Sequence, residues 1–171
     1  HTWGDTVPEF QFSPTALEQM VPTLDTTRSM YLMRVLVTFG DINVLLTGHS
    51  GTAKTTIMRE FRRRDDVDAL SFTYVPLSAR STADDFQPFV EGQLDQRSKD
   101  LLGPPGDTKM VVLVDDVSLP QPDAFGTQQT SECIRQLIDS KGFYDIKGMF
   151  WKKVVGTQVV AARTPHGGGH C

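Results

Sequence analysis

The sequence predicts an α/β fold, with a mostly parallel sheet covered by helices on both faces. Three observations predict it. The apolar runs at residues 42–47, 110–114 and 158–162 are continuous rather than alternating, as strands buried on both faces require. Such runs alternate along the chain with segments of helical apolar spacing. The chain has 171 residues, 39% hydrophobic and 22% charged, which suits one domain with a core rather than two.

Residues 1–22 are rich in Pro, Thr and aromatics (Trp3, Phe10, Phe12) and show no helical period. They read as an extended segment lying on a neighbour, and residues 1–28 form a lead-in to the domain proper at 29–171. Asp25 or Thr26 can cap a helix to about residue 39, with Met30, Met33, Leu36 and Val37 on its inner face. Gly40 and Asp41 turn the chain into the strand at 42–47. A glycine loop follows, then a helix over 55–63. Residues 70–77 read as a strand. Residues 82–102 read as one helix, with Phe86, Phe89, Val90 and Leu94 at helical spacing. Gly103-Pro104-Pro105-Gly106 breaks the chain before the strand at 110–114. Residues 127–139 form a helix with Cys133, Ile134, Leu137 and Ile138 on one side. Residues 142–155 are a hairpin or a loop insert, and 158–162 is the fourth strand.

Composition excludes several classes. The net charge is −4, whereas a general phosphate-backbone binder is basic, so no nucleic-acid partner is expected. The basic cluster Arg59, Arg62, Arg63 and Arg64 suits a helix C-terminus and is neutralised by Asp65, Asp66 and Asp68, so it reads as a solvated face. No stretch approaches the roughly 18 apolar residues of a membrane-spanning helix. Residues 1–12 lack a signal-peptide pattern. Cys133 and Cys171 fit no ligand spacing and read as free thiols of a reducing, cytoplasmic compartment. With no initiator Met and a Gly-rich final stretch, the chain is expected to be a fragment.

Gly48-His49-Ser50-Gly51-Thr52-Ala53-Lys54-Thr55 follows a strand and opens a helix, the context of a phosphate-binding loop. Glycines let successive backbone N–H groups curl toward phosphate oxygens, and the helix start adds unpaired donors. Lys54 is expected at the β- and γ-phosphates of ATP or ADP, and the Thr55 hydroxyl on Mg²⁺. Thr56 completes the nucleotide-contacting run. His49 reads as an exposed loop tip. Ala53 occupies the second glycine position, where a methyl fits only if φ stays negative or the loop shifts.

The run 111–114 ends in Asp115 and Asp116, the pattern of a metal-holding strand end. Asp115 is expected to hold Mg²⁺ through water. Asp116 stands where a glutamate would polarise the attacking water, and it is one methylene shorter. The fourth strand ends at Arg163 and Thr164, either of which could orient water, beside the plainer reading of a strand-end polar residue.

The residues Val21-Pro22-Thr23-Leu24-Asp25-Thr26-Thr27-Arg28, the glycine loop, Val114-Asp115-Asp116-Val117-Ser118-Leu119-Pro120, Asp123-Ala124-Phe125-Gly126-Thr127-Gln128, Gly142-Phe143-Tyr144-Asp145 and Gly167-Gly168-Gly169 resemble, in this order, the dynein heavy chain. The likeness is to its third AAA+ module, of axonemal type. The resemblance implies a three-layer P-loop NTPase fold, the AAA+ large subdomain, with strand order 5-1-4-3-2 and truncation before the fifth strand and the helical lid. It implies that Val21, Pro22 and Thr23 lie against adenine. It also implies a role as a nucleotide-dependent regulator of microtubule release within a six-module ring, in a cilium or flagellum axoneme. The implied partners are neighbouring AAA+ modules, the microtubule through other parts of the chain, and intermediate and light chains. Ala53, Asp116 and Thr164, the last standing where some relatives have Asn, make slow hydrolysis the expectation, with Asp116 and Thr164 as the catalytic pair. The competing readings are a nucleotide-free structural spacer and a free-standing small NTPase, which would need its own lid.

Overall fold

The computed structural model describes residues 20–63, 70–145 and 148–165. The extended segment expected at 1–22, the acidic run at 65–68, Cys171 and the glycines at 167–169 fall wholly or mostly outside the described residues.

Helix α1 spans Leu24–Gly40. Its N-cap is Thr23, ahead of the Asp25 or Thr26 expected. The Thr23 side chain accepts from the Thr26 backbone N–H at 3.2 Å, and the Thr26 hydroxyl takes the Thr23 N–H at 2.8 Å, a reciprocal capping box. The helix thus starts slightly earlier than expected, and Leu24 to Arg28 of the 1–28 lead-in are helical rather than extended. Met33 and Val37 bury the inner face. Asp41 closes the helix in the left-handed region at φ 49°.

Strand β1 is Val44–Thr47, shorter than the apolar run because Ile42 is exposed and precedes the pairing. Helix α2 is Lys54–Arg63 and strand β2 is Leu70–Pro76. The helix expected over 82–102 is two elements. Helix α3 is Ala83–Glu91, capped by a Thr82–Asp85 box. A hairpin of β3, Asp95–Ser98, and β4, Leu101–Gly103, follows. Apolar spacing carries on to Leu94, which is buried, but Phe89 is 46% exposed and Gly92 ends the helix. Leu94 thus reaches the core from a turn rather than from a helix, which is why its spacing misled.

Strand β5 is Lys109–Asp115. Helix α4, Gln129–Arg135, passes into a π-helical turn over Gln136–Ser140. Strands β6, Gly142–Asp145, and β7, Phe150–Val154, form the antiparallel hairpin that had stood as one of two options. Strand β8 is Thr157–Arg163.

The main sheet has the order β1-β8-β5-β2 with every neighbour parallel. This is the 1-4-3-2 part of the strand order that the resemblance implied. A second four-stranded sheet, β3-β4-β7-β6, was not foreseen. It joins the two inserts through parallel pairing of β4 with β7. Alternation along β5 sorts the core into two clusters. Val111 and Leu113 pack with Met33 and Val37 of α1 and Ile57, Met58 and Phe61 of α2. Met110, Val112 and Val114 pack with Phe86 and Val90 of α3, Ile134 and Leu137 of α4, and Phe143 and Val154 of the second sheet. Over β1 the α4 side is open, and Leu45 is 54% exposed. Among the described residues no helix is long and apolar enough to cross a membrane.

Lys152 of β7 fastens the second sheet to α3. Its ammonium lies 2.8 Å from Asp145 Oδ2 and 2.8 Å from Glu91 Oε2, in a setting about one-fifth exposed. Its pKa is raised, first by the bond to Asp145 and then by that to Glu91. Because the folded pKa lies above the unfolded one, the stabilisation is complete below about pH 10.4 and fades as pH rises through the folded value. Lys152→Ala is expected to cost about 1–3 kcal/mol at pH 7, with the gap to the parent closing at strongly alkaline pH. Urea midpoints at pH 7 and above pH 10 check this, and equal midpoints at pH 7 refute it.

Candidate functional site: the phosphate loop and the carboxylate at one sheet edge

Parallel pairing brings the C-terminal ends of β1, β8, β5 and β2 to one edge. Thr47 is in register with Arg163, and Asp115 with Pro76. The glycine loop leaves β1 at this edge, where open α/β sheets place ligand crevices. The first turn of α2 follows, and α2 packs on the face that Val111 and Leu113 present. Asp115, two positions beyond Leu113 in the same strand, points to that face. Lys54 and Asp115 thus arise on the same side of the sheet.

The loop is anchored by the Gly48 N–H, which donates to the Arg163 carbonyl at 3.3 Å. Its lysine folds back along it: Lys54 Nζ donates to the Gly48 carbonyl at 2.8 Å and the His49 carbonyl at 2.9 Å. Thr52 Oγ1 and the Thr52 N–H also donate to the His49 carbonyl. The ammonium is thereby held at the mouth of the loop. A Cβ on Gly48 would lie 2.5 Å from Thr52 Oγ1, so a side chain there would displace the threonine. Gly51 has φ +82°, a conformation glycine adopts without strain. His49, Ser50 and Gly51 are exposed, while Thr55 and Thr56 are half-buried in the first turn of α2.

Ala53 does not meet the first condition set for it. Its φ is +62°, so an L-residue occupies the left-handed position that glycine fills in the motif. Its carbonyl still accepts the Ile57 N–H at 2.8 Å, starting the helix.

Asp115 is buried, 4% exposed. Its Oδ2 accepts the Tyr74 hydroxyl at 2.7 Å, while Oδ1 is buried with no hydrogen-bond partner among the described residues. An orphan anionic oxygen in the interior is costly unless a cation or donor meets it. Asp115 could therefore hold a divalent ion through this oxygen.

Asp116 leaves the strand in the left-handed region at φ 56° and is half-buried. The Thr164 hydroxyl lies 3.0 Å from that of Ser118. Both line a cavity of about 760 Å³ between α4 and the β1–β8 edge, together with Leu45, Ile134 and Arg163. Of the two residues expected as a catalytic pair, Thr164 thus lines that cavity and Asp116 follows the β5 end, and no hydrogen bond joins them among the described residues. Val21 is 58% exposed beside the cap of α1, and the Thr23 hydroxyl is occupied by its capping box. Cys133 is free and buried in the α3–α4 cluster, where burial first and then the charges of Glu91 and Glu132 push its thiol up to about 12. It is a packing residue.

Sequence reading missed Tyr74. It lay in an apolar strand, and the available signal was a phenol on that strand, whose hydroxyl needs a partner once partly covered.

The strand order, the loop and its lysine define an α/β P-loop fold. The chain belongs to the family described as the P-loop containing dynein motor region, which it matches over residues 9–171. It is 34% identical over 173 residues to human dynein axonemal heavy chain 6, covering 98% of this chain and 4% of that protein. It is 34% identical to the Chlamydomonas reinhardtii dynein beta chain of the flagellar outer arm, covering 97% of this chain and 4% of that one. The chain thus spans a small part of the relatives it matches. Among solved structures it resembles NtrX from Brucella abortus, crystallised with ADP, at TM-score 0.50 and 17% identity over 86% of this chain and 31% of that one, a likeness of fold alone.

The Ala53 conformation yields a measurable outcome. Ala53→Gly is expected to stabilise the chain by about 1 kcal/mol, since the left-handed penalty of roughly 1–2 kcal/mol exceeds the added entropy of an unfolded glycine. A rise in melting temperature of about 2–4 °C corresponds to this. A fall on substitution would show that φ at residue 53 is negative in solution.

Proposed function

We propose that this chain is a nucleotide-binding AAA+ module of a dynein heavy chain, binding ATP or ADP with Mg²⁺. The observation that carries it is the buried, unpartnered Oδ1 of Asp115 on the sheet face that also carries the loop lysine. The 48–55 loop and Thr56 would surround the phosphates, with backbone N–H groups as donors and Lys54 leaving the loop carbonyls for phosphate oxygens. Thr55 and Asp115 would hold Mg²⁺, which neutralises charge on the phosphates. Val21, Pro22 and Thr23 would border the base, Thr23 through its backbone since its hydroxyl caps α1.

In this reading the chain is the third of six ring modules and regulates microtubule release rather than driving it. Its setting is the cytoskeleton of a cilium or flagellum, with neighbouring modules and intermediate and light chains as partners. Slow turnover follows from the short Asp116 base leaving the strand at a left-handed turn, and from a Thr164 hydroxyl engaged by Ser118. The second reading is a nucleotide-free spacer. One observation favours it: the Lys54 ammonium already has two carbonyl partners in the loop.

Binding separates the two. Titrating the chain with ATP and ADP in Mg²⁺ is expected to give saturable binding, weakened about 10- to 100-fold by Lys54→Ala, the loss of a charged hydrogen-bond donor. No binding by the parent or the variant establishes the spacer, whereas equal binding by both removes Lys54 from the binding site. For hydrolysis, Asp116→Glu is expected to raise a slow steady-state ATPase rate, by up to about a hundredfold if base placement limits it. A fast parent rate that the substitution leaves unchanged defeats the slow-turnover reading.

A further inference from the structure

We propose that Tyr74 is the positioning residue of the metal carboxylate and that Arg59 ties it to the phosphate-binding helix. The inference rests on the reading of Asp115 as a metal ligand.

Tyr74 stands in β2, two residues before Pro76, the register partner of Asp115. Its ring packs against the cluster that α1 and α2 form with the sheet, so it lies on the same face as the carboxylate. The phenol donates to Asp115 Oδ2 at 2.7 Å, a bond to a carboxylate and hence among the stronger kind. One oxygen is thereby taken and the carboxyl plane is fixed. The other oxygen, buried and unpartnered, is left for a cation. Without the phenol both oxygens would be buried acceptors and the carboxyl group could turn about its last bond.

The ring carries a second contact. Arg59 Cζ lies 5.7 Å from the ring centroid, within the range of a cation–π interaction. Arg59 belongs to α2, whose first residue is Lys54. A chain of contacts therefore runs from the helix that begins at the phosphate loop, through Arg59 and the Tyr74 ring, to the Asp115 carboxylate. The arrangement couples the position of the phosphate-binding helix to the orientation of the metal ligand. Tyr74 touches no reacting atom; it acts through Asp115.

Hydrogen-bond partners of metal ligands commonly contribute 10- to 100-fold in metal affinity. The test uses the full chain with ADP, reading Mn²⁺ binding by electron paramagnetic resonance and, separately, ADP affinity in EDTA. Tyr74→Phe keeps the ring and its packing. It is expected to weaken Mn²⁺ binding to the ADP complex about tenfold while leaving metal-free ADP affinity within about twofold. Arg59→Met is expected to shift Mn²⁺ binding in the same direction by less. A Tyr74→Phe variant that only lowers the melting temperature, with its Mn²⁺ midpoint unmoved, overturns the proposal. Should that variant fail to fold, an unmoved midpoint in Arg59→Met overturns it instead. A parent that binds no ADP with or without metal sinks the nucleotide reading itself, whereas a parent that binds Mn²⁺–ADP beside an unaltered Tyr74→Phe sinks only the positioning role.

Discussion

Parallel pairing of four strands is the constraint on which the rest of the structure depends. Because β1, β8, β5 and β2 run in one direction, the segments that leave their C-terminal ends gather at one edge. The glycine loop, Asp115 and the Arg163–Thr164 strand end come from distant parts of the chain and meet there for no other reason. Side-chain alternation then sorts what points where. Val111 and Leu113 bind the sheet to α1 and α2, and the same alternation turns Asp115 toward the helix that starts with Lys54.

The site carries its polar tensions in a small space. An ammonium rests on two loop carbonyls, an alanine holds a glycine conformation, and a buried carboxylate has one bonded and one free oxygen. Each is unfavourable or only locally balanced in the protein alone. In the nucleotide-bound state proposed above, the ammonium and the free oxygen would each gain a partner. Local departures from the rules of stable packing tend to gather where a ligand completes the structure.

Away from that edge the fold spends its side chains on cohesion. The second sheet draws two inserts together, and Lys152 joins it to α3 through two carboxylates. Phe143 and Val154 extend the α3–α4 cluster, so the inserts complete a core rather than hang from it. On the opposite flank, β1 has only one sheet neighbour among the described strands, and the cavity between β8 and α4 is open to solvent.

The sequence by itself determined the elements whose signal is local. The glycine loop between strand and helix, the apolar run ending in Asp115, the four parallel strands and the α1, α2 and α4 helices were legible because spacing and composition act over a few residues. The family was legible because its motifs persist in order across the chain. Tertiary structure decided what local patterns could not carry. The break of the 82–102 helix at Gly92 and the pairing of β4 with β7 depend on contacts between segments far apart in sequence. The left-handed φ of Ala53 is set by the folded loop and not by its residue type, which disfavours it. The bond from Tyr74 to Asp115 spans two strands that become neighbours only in the folded sheet, so no window of sequence contains it.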